Sequence, residues 1–375
     1  MQPLRDDVTQ AQYSVREISE QAAAQDDVVR FDIGQPDFDT PRKAKKAAQK
    51  AISEEHITYT ALWGIEELRK EVASFESHKA AYTEEQVMVT TGGIGALYCL
   101  FTSLAEPGDS IVFNDPCWSV YPMLSKCSTA EMRQVPYFKQ GEVNTSGIRD
   151  TIDDDTVAIV INNPENPTGR VYSRDELEQI IDIAAEHDCW VIGDEVYDRL
   201  TYGSDHVSVA EIAPDRSFVI NSMSKNFAMT GWRIGWLLSP DIDILKHIGK
   251  LNRSTTACPN FVGQQAALAA LQKAGNYPES MRESYQERKQ AIEDHLDRIG
   301  LDYVDPEGAI YIFPDIGEDS WSFARDLLDE AGVAVVPGAP SGSDSQDNIR
   351  ICFGSVAKEG IEEGMERLAD FIDTR

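Results

Sequence analysis

Several features are missing from these 375 residues. No apolar run reaches the ~18 residues that a membrane-crossing helix needs. No basic stretch followed by an apolar one marks a leader. Six cysteines (Cys99, Cys117, Cys127, Cys189, Cys258 and Cys352) include no CxxC pair. Reduced thiols are therefore expected, with no disulfide framework. The six histidines include no HExxH, so no metal is expected. Positive charge is scarce: 34 Lys and Arg stand against 64 Asp and Glu, a net charge of -30. Such a surface repels phosphate-rich partners, which argues against nucleic acid. A cytoplasmic protein with no membrane or nucleic-acid partner is the expectation. The acidic residues are spread along the chain, with short clusters such as "DDD" at 153–155. That pattern is a solvated coat. A high-salt cytoplasm, where screening relieves self-repulsion, would suit it.

No internal repeat or low-complexity linker interrupts the chain. From about residue 87, short apolar runs alternate with amphipathic helices. "VMVTT" (87–91), "SIVFN" (110–114), "VAIVIN" (157–162), "WVIGDE" (190–195), "SFVINS" (217–222) and "RIGWLLS" (233–239) read as buried strands. "SRDELEQIIDIAAEHD" reads as a helix opened by a capping box between Ser173 and Glu176. Strands alternating with helices predict an α/β fold, a mostly parallel sheet covered on both faces. From about 276 a long amphipathic helix leads to the short strands "IYIF", "VAVVP" and "IRICFG". These predict a smaller α+β domain. The expected division is 36–275 for the large domain, with 1–35 and 276–375 forming the small one.

In such sheets function gathers at the carboxyl ends of strands. Gly92-Gly93, Asn166, Asp194 and Lys225 fall there. "TGGIG" opens a helix, where the N–H groups of Gly92, Gly93 and Ile94 suit a phosphate; alone, such glycines are usually just a tight turn. Ser222 and Arg233 flank Lys225 and add a hydroxyl and a guanidinium. Asp194 ends a buried apolar strand and needs a cation, such as a protonated heterocyclic nitrogen. Tyr197 reaches the same side, and Trp118 offers a ring for stacking. A lysine amine, a phosphate cup, an acid and a stacking ring together suit pyridoxal 5'-phosphate (PLP).

The chain resembles a class I aminotransferase of the aspartate aminotransferase superfamily, PLP fold type I. The stretches that carry the likeness are "GQPDFDTP" (34–41), "TYTALWGIEELR" (58–69), "TTGGIGAL" (90–97), "NDPCWSVYP" (114–122), "NNPENPTG" (162–169), "GDEVYD" (193–198), "SMSKNFAMTGWRIGW" (222–236), "VAVVPG" (333–338) and "IRICFG" (349–354). The resemblance implies a seven-stranded sheet in the large domain and a ping-pong transfer of an amino group from an L-amino acid to a 2-oxo acid, with 2-oxoglutarate as the expected acceptor. It implies that Lys225 forms the Schiff base and shuttles the proton, and that Asp194 holds the pyridine nitrogen. Tyr197 and Asn166 would meet the 3'-oxygen, and Trp118 would stack on the ring. Gly92, Gly93, Ile94, Ser222 and Arg233 would take the phosphate. Arg350, helped by the Gly34 backbone, would clamp the substrate carboxylate, alongside Trp118 and Asn166. Tyr59 would reach the phosphate of a second subunit, so a homodimer is implied. Asn166-Pro167 and Asp115-Pro116 are candidate cis bonds.

Two departures stand out. After "VVPG" the chain runs "APSGSDSQDN" (339–348), polar where many relatives are not, which makes this loop a candidate for mobility. Ile94 sits where some relatives carry a polar residue. The donor stays open. Arg253 is a candidate for a second substrate carboxylate, and Tyr13 with Trp63 is a candidate pocket for aromatic or aliphatic side chains. A PLP-dependent carbon–sulfur β-lyase is the alternative activity on the same residues, and a PLP-binding regulatory protein is a third reading.

Overall fold

The computed structural model describes residues 14–375. Its strands, in chain order, begin with β1 (Val29–Arg30), β2 (Val87–Thr90), β3 (Ser110–Asn114) and β4 (Glu131–Val135). A two-residue hairpin follows, β5 (Phe138–Lys139) and β6 (Glu142–Val143). Next come β7 (Thr156–Asn162), β8 (Trp190–Asp194), β9 (Ser217–Ser222) and β10 (Gly235–Leu238). The last are β11 (Tyr311–Ile312), β12 (Val333–Ala334), β13 (Val336–Pro337) and β14 (Ile349–Cys352).

Seven of these form one sheet in the order β2-β10-β9-β8-β7-β3-β4. Only β10 runs against its neighbours. The pleat sends alternate residues to opposite faces. Along β9, Phe218 and Ile220 join one apolar cluster and Val219 joins the other. Helices Arg42–Glu54, Glu66–Phe75, Arg174–Glu186 and Phe261–Lys273 cover the Val219 face, through Ala44, Leu68, Leu177 and Ala266. Helices Gly92–Leu104, Tyr121–Ser128 and Ile242–Thr256 cover the other, through Leu100, Tyr121 and Ile248. Burial on both faces explains why these strands read as continuous apolar runs.

The capping box is formed: the Ser173 hydroxyl accepts from the Glu176 N–H, and the Glu176 carboxylate accepts from the Ser173 N–H. One strand of the sheet was not among the predicted runs. β4, "EMRQV", is an edge strand whose residues are mostly exposed or half-buried, so it lacks the apolar signature.

A second, smaller layer packs helices Ser14–Ala23, Tyr277–Ile299, Ser320–Ala331 and Lys358–Asp373 around a separate apolar cluster that includes Phe31, Tyr285, Phe323 and Ile351. The predicted run "VAVVP" divides there. β12 pairs parallel with β1, whereas β13 pairs antiparallel with β14. No described helix is long and apolar enough to cross a membrane.

Candidate active site

The carboxyl ends of β7, β8 and β9 lie side by side. Asn162 stands opposite Asp194, and Asp194 opposite Ile220, in the parallel registers. Gly235, at the start of β10, pairs with both Ser222 and Thr90. These ends open into a cavity of about 770 Å³. Eleven expected residues line it: Gly34, Gly93, Ile94, Trp118, Asn166, Asp194, Tyr197, Ser222, Lys225, Arg233 and Arg350.

Lys225 sits on the one-turn helix Met223–Asn226 directly after β9. Its ammonium donates to the carbonyl of Gly34 and lies 5.5 Å from the centre of the Tyr197 ring. Asp194 is buried, and its Oδ2 accepts a 2.7 Å hydrogen bond from the Tyr121 hydroxyl. Its Oδ1 is buried without a partner. Burial pushes this carboxyl up to about 6, against the pull of the Tyr121 hydrogen bond. Tyr197 shares a 2.8 Å hydrogen bond with the Tyr311 hydroxyl, and burial pushes its own hydroxyl well up.

Arg350, on β14, is buried and held on three sides. Nη1 donates to Asn166 Oδ1 at 3.2 Å, Nη2 donates to the Asp32 carbonyl at 3.2 Å, and the guanidinium lies 4.5 Å from the Tyr311 ring centre. Gly34 allows this crowding, because a Cβ there would sit 2.8 Å from the Tyr311 hydroxyl. The backbone N–H of Asn166 donates to Asn162 Oδ1, which fixes the turn carrying it. Asp115-Pro116, Asn163-Pro164 and Asn166-Pro167 are all cis; the middle one was not expected.

At the other end, helix Gly92–Leu104 points its first turn at Arg233 and Ser222. Arg233 takes a left-handed backbone conformation, φ 57°, uncommon for a residue with a Cβ and a common mark of functional sites. Its Nη1 donates to the Thr230 carbonyl at 2.9 Å. Gly92 does not line the cavity. It packs under Arg233, where a Cβ would lie 2.4 Å from Nη2.

Sequence reasoning missed Tyr121 and Tyr311. Neither was singled out, although Tyr121 lies in the quoted "NDPCWSVYP", three residues after Trp118. Three expected residues lie outside this chain's own cavity. Tyr59 is 86% exposed and outside the cavity. Trp63 and Arg253 line a different pocket of about 400 Å³, with Arg69, Lys246 and Lys250. The helix carrying Arg253, Ile242–Thr256, packs on the sheet through Leu245 and Ile248. Neither residue therefore meets a substrate in this chain's own cavity. Tyr13 lies outside the described residues. The loop 339–348 is not loose: Ser343 donates its N–H and hydroxyl to Asp115 Oδ2 at 3.0 and 2.8 Å. The Ser341 carbonyl accepts from the Cys117 N–H and the Gln134 amide, and Pro340 lines the cavity.

The donor set fits PLP. A buried carboxylate oxygen without a donor awaits a ring N–H, a lysine amine faces the same space, and a helix N-terminus with a guanidinium and a hydroxyl suits a phosphate. The architecture and this set define a PLP-binding α/β enzyme. The profile of the family aminotransferase class I and II matches residues 26–368, and the chain belongs to that family. It is 36% identical over 365 residues to a probable N-acetyl-LL-diaminopimelate aminotransferase of Bacillus subtilis, covering 96% of this chain and 92% of that one. It is 34% identical to an aspartate aminotransferase of Geobacillus stearothermophilus, covering 94% and 93%. The solved structure of Thermus thermophilus aspartate aminotransferase with maleate superposes with a TM-score of 0.93 at 33% identity, covering 99% and 100%. The protein is a PLP-dependent aminotransferase acting on amino acids and 2-oxo acids.

Proposed function

We propose that this cavity moves the amino group of an L-amino acid to a 2-oxo acid such as 2-oxoglutarate in two half-reactions, with Lys225 as the catalytic amine. The convergence of Lys225, the unpartnered oxygen of Asp194 and Arg350 in one cavity carries the reading. PLP supplies the aldehyde that captures the donor amine and the ring that draws electrons from its Cα. Asp194 would accept from the ring N–H and keep that nitrogen protonated. Trp118 would stack on the ring. The Asn166 amide and the Tyr197 hydroxyl would donate to the ring oxygen. Gly93, Ile94, Ser222 and Arg233 would hold the phosphate. Arg350 pairs with the α-carboxylate and fixes the Cα–H within reach of Lys225, which takes and returns the proton.

The relatives' names put aspartate first among donors to try. A specific observation favours a second reading, a donor with an apolar side chain. Lys225, Arg233 and Arg350 are the cations lining the cavity among the described residues, and each has a role. Leu97, Val120, Met123 and Ile94 add apolar surface, and Ile94 is 41% exposed. We further infer a cytoplasmic homodimer. Exposed Tyr59, Ile57, Leu62 and Ile94 support a face that a second copy covers. The separate apolar clusters support a division into 36–275 and a small domain of 1–35 with 276–375.

The test is the absorption spectrum of the holoenzyme as aspartate, glutamate, tyrosine, leucine and alanine are added singly. One donor should convert the cofactor to its amine form with no acceptor present, and Lys225→Ala should not respond. Ammonia and a 2-oxo acid appearing without an acceptor would instead show a lyase. Sedimentation of the holoenzyme as a monomer would overturn the dimer.

A further inference from the structure

On the opposite side of the strand ends lies a charge cluster that this chemistry does not use. The Lys79 ammonium is fully buried. It sits 2.9 Å from Glu76, 3.0 Å from Glu195 and 2.7 Å from Asp198, all of them buried. One ammonium among three carboxylates, shut away from water, carries a large desolvation cost. Other donors offset part of it. Asn221 donates to Glu76 at 3.1 Å and to Asp198 at 3.0 Å, and Trp236 Nε1 donates to Glu76 at 2.9 Å. Asn226 donates to Asp198 at 2.6 Å. The Ser208 hydroxyl and the Val209 N–H donate to Glu195 at 2.8 and 3.0 Å. His206 and Arg199 approach Glu195 and Asp198 at 3.9 and 4.0 Å, and His78 and Tyr82 complete the surroundings.

The cluster is interleaved with the cavity residue by residue. Asp194 and Tyr197 face the cavity, whereas their successors Glu195 and Asp198 hold Lys79. Asn221 precedes Ser222 and Asn226 follows Lys225. Lys79 comes from a different part of the chain, just beyond helix Glu66–Phe75, and it alone touches all three carboxylates. Without it, three buried acids, two of them on the 194–198 turn, face one another unpaired. Despite its burial, the carboxylates hold the Lys79 amine well above its ordinary range. Burial pushes Glu76 up, while Lys79 draws Asp198 far down against its own burial. Lys79 Nζ, Glu76 Oε2 and Glu195 Oε2 make no aligned hydrogen bond, so the ion pairs at 2.7–3.0 Å, with the Asn221, Asn226 and Ser208 donors, are what join these groups.

We propose that Lys79 is a positioning residue of the aminotransferase reaction: from beneath, it ties the 194–198 turn to the 221–226 turn, so that Asp194, Tyr197 and Lys225 keep their places around the cofactor. The proposal rests on the role proposed above for the cavity. The experiment compares holoenzyme of wild type, Lys79→Met/Glu76→Gln, Asp198→Asn and Lys225→Ala. The double variant removes one charge of each sign and keeps the volumes close. It should fold by circular dichroism. Its kcat should fall roughly 10- to 100-fold, with KM for the amino donor changed less than about threefold, because Arg350 is untouched. The pH midpoint of the bound cofactor's absorption band should shift by about half a unit although the net charge of the cluster is unchanged, because the turns that carry Asp194, Tyr197 and Lys225 are no longer tied. A folded double variant with wild-type kcat and midpoint, even at a lower melting temperature, overturns the proposal. If the double variant does not fold, Asp198→Asn decides, being isosteric and leaving Lys79 two carboxylates. A fall in kcat of about threefold with a lower midpoint, as the loss of a negative charge near Lys225 requires, supports the proposal, and unchanged values overturn it. A Lys225→Ala protein that keeps the wild-type band refutes the cavity's role instead.

Discussion

The Tyr121 hydroxyl donates to one oxygen of Asp194 at 2.7 Å and leaves the other facing the cavity. Against the burial that raises it, that bond, and after it the Val196 N–H, eases the ionisation of the carboxylate. Tyr121→Phe removes the donor and keeps the ring, which packs edge-on against Trp118 at 5.5 Å. The Asp194 carboxyl should then titrate above 6 in the apoenzyme. Hydrogen bonds to charged groups are worth about 1.5–3 kcal/mol, so a rise of roughly one to two pH units is expected. Carboxyl NMR or infrared titration of apoenzyme checks it, and an unmoved Asp194 titration would break the link.

Asp194 itself should tax the stability of the apoenzyme. Its folded pKa, about 6, lies above the ordinary 3.8. A carboxyl raised in this way disfavours folding once it must ionise. The penalty is absent below about pH 4, grows up to about pH 6, and is constant above that. At 1.36 kcal/mol per pKa unit it reaches about 3 kcal/mol. Apo Asp194→Asn should therefore melt higher than apo wild type at neutral pH and no higher in acid. Saturating PLP should reverse the order at neutral pH. Thermal melts across pH, with and without cofactor, measure both effects.

Arg350 is held by Asn166, Asp32 and the Tyr311 ring before any substrate arrives. Preorganisation of this kind favours a planar fork over a flexible ammonium. Arg350→Lys should raise KM for the amino donor by roughly 10- to 100-fold, the worth of one bidentate charged pair. Cofactor affinity should stay within about threefold of wild type, since the cofactor's proposed partners are elsewhere. Steady-state kinetics and PLP titration together test this, and an equal loss in both would refute it.

Legibility in the sequence followed burial. Strands buried on both faces, such as β7 and β9, announce themselves as apolar runs, whereas edge strand β4 does not. The Ser173–Glu176 cap was visible because it is local. Most cavity residues were legible because each ends a strand or opens a helix, and strand ends converge in this architecture. Tyr121 and Tyr311 were not, since a buried tyrosine looks the same whether it meets a catalytic acid or a carbonyl. Lys79 was the least visible. "FESHKAAY" reads as a polar helix end, and only tertiary packing brings Glu195 and Asp198 around it. Arg253 and Trp63 line another pocket of the same chain, a placement that charge and shape in the sequence did not foretell.

The polar loop after β13 is pinned through Asp115. A Cβ on Gly342 would lie 1.6 Å from Asp115 Oδ1, a clash that must displace loop or carboxylate. Gly342→Ala should break the two Ser343 hydrogen bonds and shift Pro340, which lines the cavity. A loss of about 1–3 kcal/mol in stability is expected, with a higher KM for the amino donor and little change in cofactor affinity. Denaturant melts and kinetics check both. A variant as stable as wild type with unchanged KM would show that the contact carries neither effect.

Salt should act on this protein in the direction opposite to its effect on an isolated surface ion pair. A net charge of -30 places many like charges within a Debye length of one another at low ionic strength. The surface pairs present, such as Arg149–Glu186 and Arg174–Glu211, are exposed or half-exposed and each contributes little. Raising KCl from about 0.01 M to about 1 M shortens the Debye length from roughly 30 Å to 3 Å, which weakens both kinds of interaction. Repulsion dominates because acids outnumber bases 64 to 34. The melting temperature should rise by several degrees over that range, as a gain of a few kcal/mol implies. The Lys79 cluster is shut off from the ions, so its contribution should not change: Asp198→Asn should lower the melting temperature by the same amount at both ends of the range. A melting temperature flat or falling in KCl would mean that the pairs, and not the excess of acids, govern the surface.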